Sequence, residues 1–181
     1  MSSKLAENHF QLFSLPERYR LERADLDARY RELQRRVHPD RFASAGDRER
    51  RVSMQQAAQI NEAFETLKDP LRRGRYLLEL RGTNIDESQG SHQDPEFLMQ
   101  QIELREALAE VRAHDDPLAE LDRLSREIRA QYQALESALA AALDDTGDTR
   151  AALTLVLRMQ YFTRLQNEVQ ELEAELEDEL F

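Results

Sequence analysis

A histidine and an aspartate stand two residues apart in the stretch Val37-His38-Pro39-Asp40-Arg41. An imidazole beside a carboxylate can act as a general base and its orienting group. Acyl transfer by such a pair also needs a nucleophile and an oxyanion site. The chain contains no cysteine, and it carries no glycine-rich phosphate loop and no nucleophile elbow. His9, His92 and His114 have no metal-ligand spacing with His38, so neither a metal nor a cofactor is expected. The pair therefore reads as a recognition element rather than as half of a catalytic site, and the chain is not expected to be an enzyme.

Two helical patterns must hold this stretch. Upstream, Leu26, Tyr30, Leu33 and Val37 recur at helical spacing, and downstream Ala57, Ile60, Phe64 and Leu67 do the same. Pro39 lacks an N–H and pushes His38 out of the α region, so the first helix, over about 22–37, must stop there. A polar loop over 38–50 leads to a second helix over about 49–68 that ends at Asp69-Pro70. The expectation is an antiparallel hairpin whose connecting loop presents an imidazole and a carboxylate. With the apolar set inward, a rotation of about 100° per residue turns Arg31 and Arg35 to the opposite side and places Arg29 and Arg36 on one flank. Such a run is either a solvated face or a docking face for an acidic partner.

Before the hairpin, Phe10, Leu12, Phe13, Leu15 and Pro16 suggest one brief helix and a turn. After it, Leu71–Arg81 forms a fourth segment that Gly82 can terminate. Residues 82–94 are small and polar and read as a linker. Asp94-Pro95 and Asp116-Pro117 each supply an N-cap followed by proline at the first helical position. The helix opened by Asp116-Pro117 has Leu118, Leu121, Ile128, Tyr132, Leu135 and Leu139 as its inward set, with Ser125 filling one step. A turn over 144–148 precedes a last helix from Thr149, whose stripe is Leu155, Met159, Phe162, Leu165, Val169, Leu172 and Leu176. The predicted fold is all-α: a helical hairpin with short helices over 1–81, a linker over 82–94, and a three-helix bundle over 95–181.

Charge divides along the same line. Residues 1–80 hold 16 Lys+Arg against 13 Asp+Glu, whereas residues 81–181 hold 9 against 23, within a total of −11. Two modules facing different partners follow from that asymmetry. The acidity argues against nucleic acid as a partner. No apolar run reaches the ~18 residues of a membrane span, and the first residues lack the apolar stretch of a signal peptide. A cytoplasmic protein is expected.

The first bundle helix carries a second apolar set. Phe97, Leu104, Leu108 and Val111 share one direction, while Leu98, Met99 and Ile102 project about 100–200° away from Phe97. Glu103, Glu106 and Glu110 border that second set. It is either core beneath a further element or an acid-rimmed docking surface.

Helix, Tyr30-Arg31-x-Leu33, His38-Pro39-Asp40, polar loop, then Ile60-Asn61-Glu62-Ala63-Phe64 and Leu67 is the layout of a J domain. The sequence resembles the J-domain co-chaperones of Hsp70 chaperones and, within them, the HscB type that serves iron–sulfur cluster assembly. The resemblance runs through Phe10-x-Leu12-Phe13-x-Leu15-Pro16, Arg18-Tyr19, Phe42-Ala43-Ser44, Tyr76-Leu77-Leu78 and Phe97-Leu98-Met99-x-Gln101-x-Glu103-Leu104-Arg105-Glu106. It implies that the N-terminal module engages a specialised Hsp70 and stimulates its ATPase. Asp40 would pair with an Hsp70 arginine, His38 and Pro39 would fix the loop, and Arg31, Arg35, Arg36 and Arg41 would meet an acidic surface. Arg41 stands where many J domains have lysine. The resemblance also implies that Leu98, Met99, Ile102, Glu103, Glu106, Glu110 and Tyr161 bind the iron–sulfur scaffold protein. Here Ile102 replaces an expected leucine and Tyr161 an expected phenylalanine. A general J protein would instead carry a glycine/phenylalanine-rich linker or cysteine zinc modules, and neither is present. A structural helical dimer gives no reason for the His-Pro-Asp setting. The expected state is a monomer or a weak homodimer.

Overall fold

The computed structural model describes residues 8–38, 46–85 and 94–179. Pro39, Asp40 and Arg41 lie outside the described residues, as do residues 86–93 of the expected linker. Among the described residues the protein is all-α, with seven α-helices and no strand: α1 (His9–Leu12), α2 (Arg23–Val37), α3 (Asp47–Lys68), α4 (Pro70–Leu80), α5 (Pro95–Glu110), α6 (Pro117–Ala140) and α7 (Thr149–Glu179). The chain divides into two compact units, residues 1–80 and 81–181.

In the first unit, α2 and α3 run antiparallel. Val37 meets Ser53, Tyr30 meets Asn61 and Phe64, and Arg23 lies over Phe64, so contacts advance along α3 as they retreat along α2. α2 ends where Pro39 requires it to end, and His38 already has extended backbone at φ −58°, ψ 133°. Asp69 repeats the device before Pro70, with extended backbone and a carboxylate that accepts from Arg72 N at 2.7 Å. The core is Phe10, Phe13, Tyr19, Leu26, Ile60, Ala63, Leu67, Leu77 and Leu78. Arg73 is buried with them. Its guanidinium donates to Leu67 O at 2.6 Å and lies 4.7 Å from the Tyr19 ring centre, so its charge is placed on a helix C-terminus and a π face.

α1 is one turn closed by a capping box between Asn8 and Gln11. The expected turn after it passes through Ser14 at φ +53°. Arg29 fastens it: Nη1 donates to Phe13 O at 3.0 Å and Ser14 O at 2.9 Å, while Nε pairs with Asp25.

The second unit is the expected three-helix bundle. Asp94 and Asp116 cap α5 and α6 through their side chains, each followed by proline. Asp148 caps α7, accepting from Arg150 N and Ala151 N. α5 runs parallel to α7, because Asp94 pairs with Arg158, Gln101 with Tyr161, Arg105 with Glu168 and Arg112 with Glu175. Phe97, Leu104, Val111, Leu121, Leu124, Ile128, Phe162, Leu165, Val169 and Leu176 make one continuous core.

Three sequence expectations need correction. Leu124, outside the expected α6 stripe, is fully buried, whereas Ser125 is only half-buried. A helix wedged between two others needs a wider apolar face than one stripe supplies. The expected turn over 144–148 is helical for most of its length: residues Ala141–Thr146 form a π-type turn, and only Gly147 takes the left-handed backbone, at φ +68°. Val156 and Ala152 are deeper in α7 than Leu155.

Candidate functional site: protein-docking faces

The first face begins where α2 ends. Val37 is buried, and its carbonyl is among the last of the helix, with no N–H of the next turn to receive. Ser53, itself buried, donates its hydroxyl to that oxygen at 2.8 Å across sixteen residues of sequence. The end of α2 is thus tied to α3 immediately before exposed His38. Arg31, Arg35 and Arg36 are exposed along α2. Arg36 pairs with Glu32, and Arg35 Nε donates to Arg31 O at 3.3 Å. Arg29 leaves this basic face for the α1 turn. Sequence reasoning passed over Ser53, yet it continues the 57/60/64/67 period by one step, and a polar residue in an apolar period was the available signal.

The second face lies on α5. Leu98, Met99 and Ile102 are 44%, 55% and 42% exposed, among only six large apolar side chains exposed in the described residues. Glu103, Glu106 and Glu110 are exposed around them. α5 thus has two apolar sides, one in the core and one open within its own unit.

Tyr161 sits apart from that outward group, at the α5–α7 seam. Its ring meets Phe97 edge-on at 5.8 Å and Phe162 at 5.5 Å, and its hydroxyl donates to Gln101 O at 3.2 Å. Burial pushes its phenol above the ordinary value, with the Arg105 charge opposing. The added hydroxyl is accommodated by a bond to the backbone. Among the described residues no cluster of His, Asp and Glu could hold a metal ion, and no helix is long and apolar enough to cross a membrane.

An antiparallel hairpin with a basic flank, followed by a three-helix bundle, defines the class: a J-domain co-chaperone with a C-terminal helical domain. The family described as HSCB C-terminal oligomerisation domain matches residues 93–170. The co-chaperone protein HscB homolog of Cupriavidus taiwanensis is 44% identical over 98% of this chain and all of its own. That of Photobacterium profundum is 43% identical, covering 92% of this chain and 96% of its own. Among solved structures, chaperone HscB from Vibrio cholerae superposes with a TM-score of 0.84 at 41% identity, over 93% of this chain and 99% of the other. Human co-chaperone protein HscB gives 0.85 at 29% identity, over 94% and 84%. The chain belongs to the HscB co-chaperone family.

Proposed function

We propose that this protein is a delivery co-chaperone of cytoplasmic iron–sulfur cluster assembly. Its N-terminal module docks on a specialised Hsp70 and stimulates ATP hydrolysis, while α5 of the bundle holds the scaffold protein on which clusters form. Acceleration requires the loop to bind the hydrolysis-competent Hsp70 better than its resting state. Asp40 supplies that differential contact by pairing with an Hsp70 arginine, with His38 and Pro39 fixing the loop. Arg31, Arg35, Arg36 and Arg41 meet an acidic surface of the same partner. Leu98, Met99 and Ile102 anchor the scaffold, with Glu103, Glu106 and Glu110 at the rim and Tyr161 supporting from the seam. ATP and cluster are held by the partners, so this chain changes turnover without carrying out chemistry.

The supporting observation is the exposure of Leu98, Met99 and Ile102 together, within a carboxylate rim, on a helix whose other side is core. Replacing all three by alanine should weaken scaffold binding more than about tenfold, the loss of buried apolar anchors, with helicity unchanged by circular dichroism. Unchanged binding would contradict the reading, and loss of helicity would make the three residues core. The name of the matched domain, an oligomerisation domain, raises a second reading, association with another copy of the chain. Sedimentation of wild type and the triple variant separates the two, because self-association through the face would disappear in the variant.

A further inference from the structure

Charges on α5 are distributed unevenly between its two sides. At the seam, Arg105 pairs with Glu168, Arg112 with Glu175 and Glu179, and Arg158 with Asp94. On the outward side, Glu96, Glu103, Glu106 and Glu110 form no ion pair among the described residues. The bundle's seam cations are matched internally, whereas the carboxylates on the face bearing Leu98, Met99 and Ile102 meet no cation among the described residues.

Glu96 and Glu103 are two helical turns apart and lie on one side of α5. With Met99, Gln100, Phe97, Asp94 and Arg158 they line a groove of about 450 Å³. Asp94 is fully engaged, one oxygen accepting from Glu96 N and Phe97 N and the other from Arg158. The Arg158 guanidinium lies 4.9 Å from the Phe97 ring centre. The groove therefore combines an apolar wall from Met99, one neutralised ion pair, and two carboxylates that pair with no cation among the described residues.

We infer that this groove receives one cationic side chain, a lysine or an arginine, from the partner that covers Leu98, Met99 and Ile102, and that this residue sets the partner's direction along α5. The inference rests on the reading of that face as the scaffold-docking surface. Met99 belongs to both the apolar trio and the groove, so one continuous partner segment can fill both. An aliphatic stem lies along Met99 while its charged head meets Glu96 and Glu103. Contact with the trio alone is non-directional. A cation required at the N-terminal end of α5 distinguishes the two orientations, because the reversed partner leaves carboxylates desolvated and unpaired.

The test is calorimetric titration of the full chain with the scaffold protein at two salt concentrations. Glu96→Lys is expected to bind about tenfold more weakly at about 50 mM salt, and within about twofold of wild type at about 500 mM, as screening removes the charge difference. Glu96→Gln, which keeps the helix start neutral, is expected to lose about threefold at low salt. Glu177→Lys makes the same charge change on the exposed end of α7 and is expected to stay within about twofold at both. If both Glu96 variants behave like Glu177→Lys while the Leu98/Met99/Ile102 alanine variant still loses binding, the groove inference is overturned alone. If that alanine variant binds normally, the docking reading beneath it is overturned as well.

Discussion

The Ser53 hydroxyl and the Val37 carbonyl meet inside the first unit, directly before His38. Removing the donor strands a buried acceptor. Ser53→Ala should therefore lower the stability of the first unit by about 1–3 kcal/mol, measured by urea denaturation. Ser53→Thr, which retains the hydroxyl, should recover most of the loss, and equal stability of Ala and wild type would refute the tie. Tyr161→Phe tests a second hydroxyl. Its bond to Gln101 O is half-buried, so about 0.5–1.5 kcal/mol should be lost, while scaffold affinity changes little because the hydroxyl points to the seam. At this scale the sequence exposed the outward Leu98, Met99 and Ile102 through rotation about the helix axis alone. It could not separate Tyr161 from them, since that requires knowing which residue of α5 lies opposite position 161. Arg29 illustrates the same limit: spacing placed it on the basic flank, and only tertiary structure brought the Phe13 and Ser14 carbonyls within its reach.

Among elements, α1 carries a pH dependence. The His9 ring stacks on Tyr76 at 4.3 Å, and the His9 backbone N–H donates to the Tyr76 hydroxyl at 3.0 Å. Burial pushes its imidazole below the ordinary value, with Glu62 opposing. The unfolded chain then binds the proton more tightly. The associated stability is present above the unfolded value of 6.5 and is lost as pH falls through the lower folded value. Thermal unfolding of the first unit should shift down between about pH 7.5 and about pH 5.5. His9→Phe, which keeps the ring stack and the backbone bond, should flatten that shift, and an unaltered shift would assign it to other groups. Helix starts and stops were the most legible part of the fold. Asp69-Pro70 marks a helix stop, and Asp94-Pro95 and Asp116-Pro117 each mark a helix start, because proline fixes φ and the preceding carboxylate reaches the free N–H groups. The π-type turn over Ala141–Thr146 was not legible, since Ala-Ala-Leu-Asp-Asp-Thr suits an ordinary helix end as well.

For the whole molecule, two units with separate cores carry opposite charge balance and are assigned different partners. In the proposed function the basic unit binds the Hsp70 and the acidic one the scaffold, so substitutions in one should leave the other's binding intact. The division was legible from composition, because the surplus of Asp+Glu begins where the small polar 82–94 stretch separates the two apolar patterns. What each unit binds is a matter of surface chemistry, and in the proposed function the decisive residue on the Hsp70 side is Asp40. The most direct measurement is steady-state ATP hydrolysis by the partner Hsp70 with wild type or Asp40→Asn, alongside scaffold affinity for both. Wild type should accelerate hydrolysis, and Asp40→Asn should abolish the acceleration with scaffold affinity unchanged. Acceleration by Asp40→Asn equal to that of wild type would contradict the account.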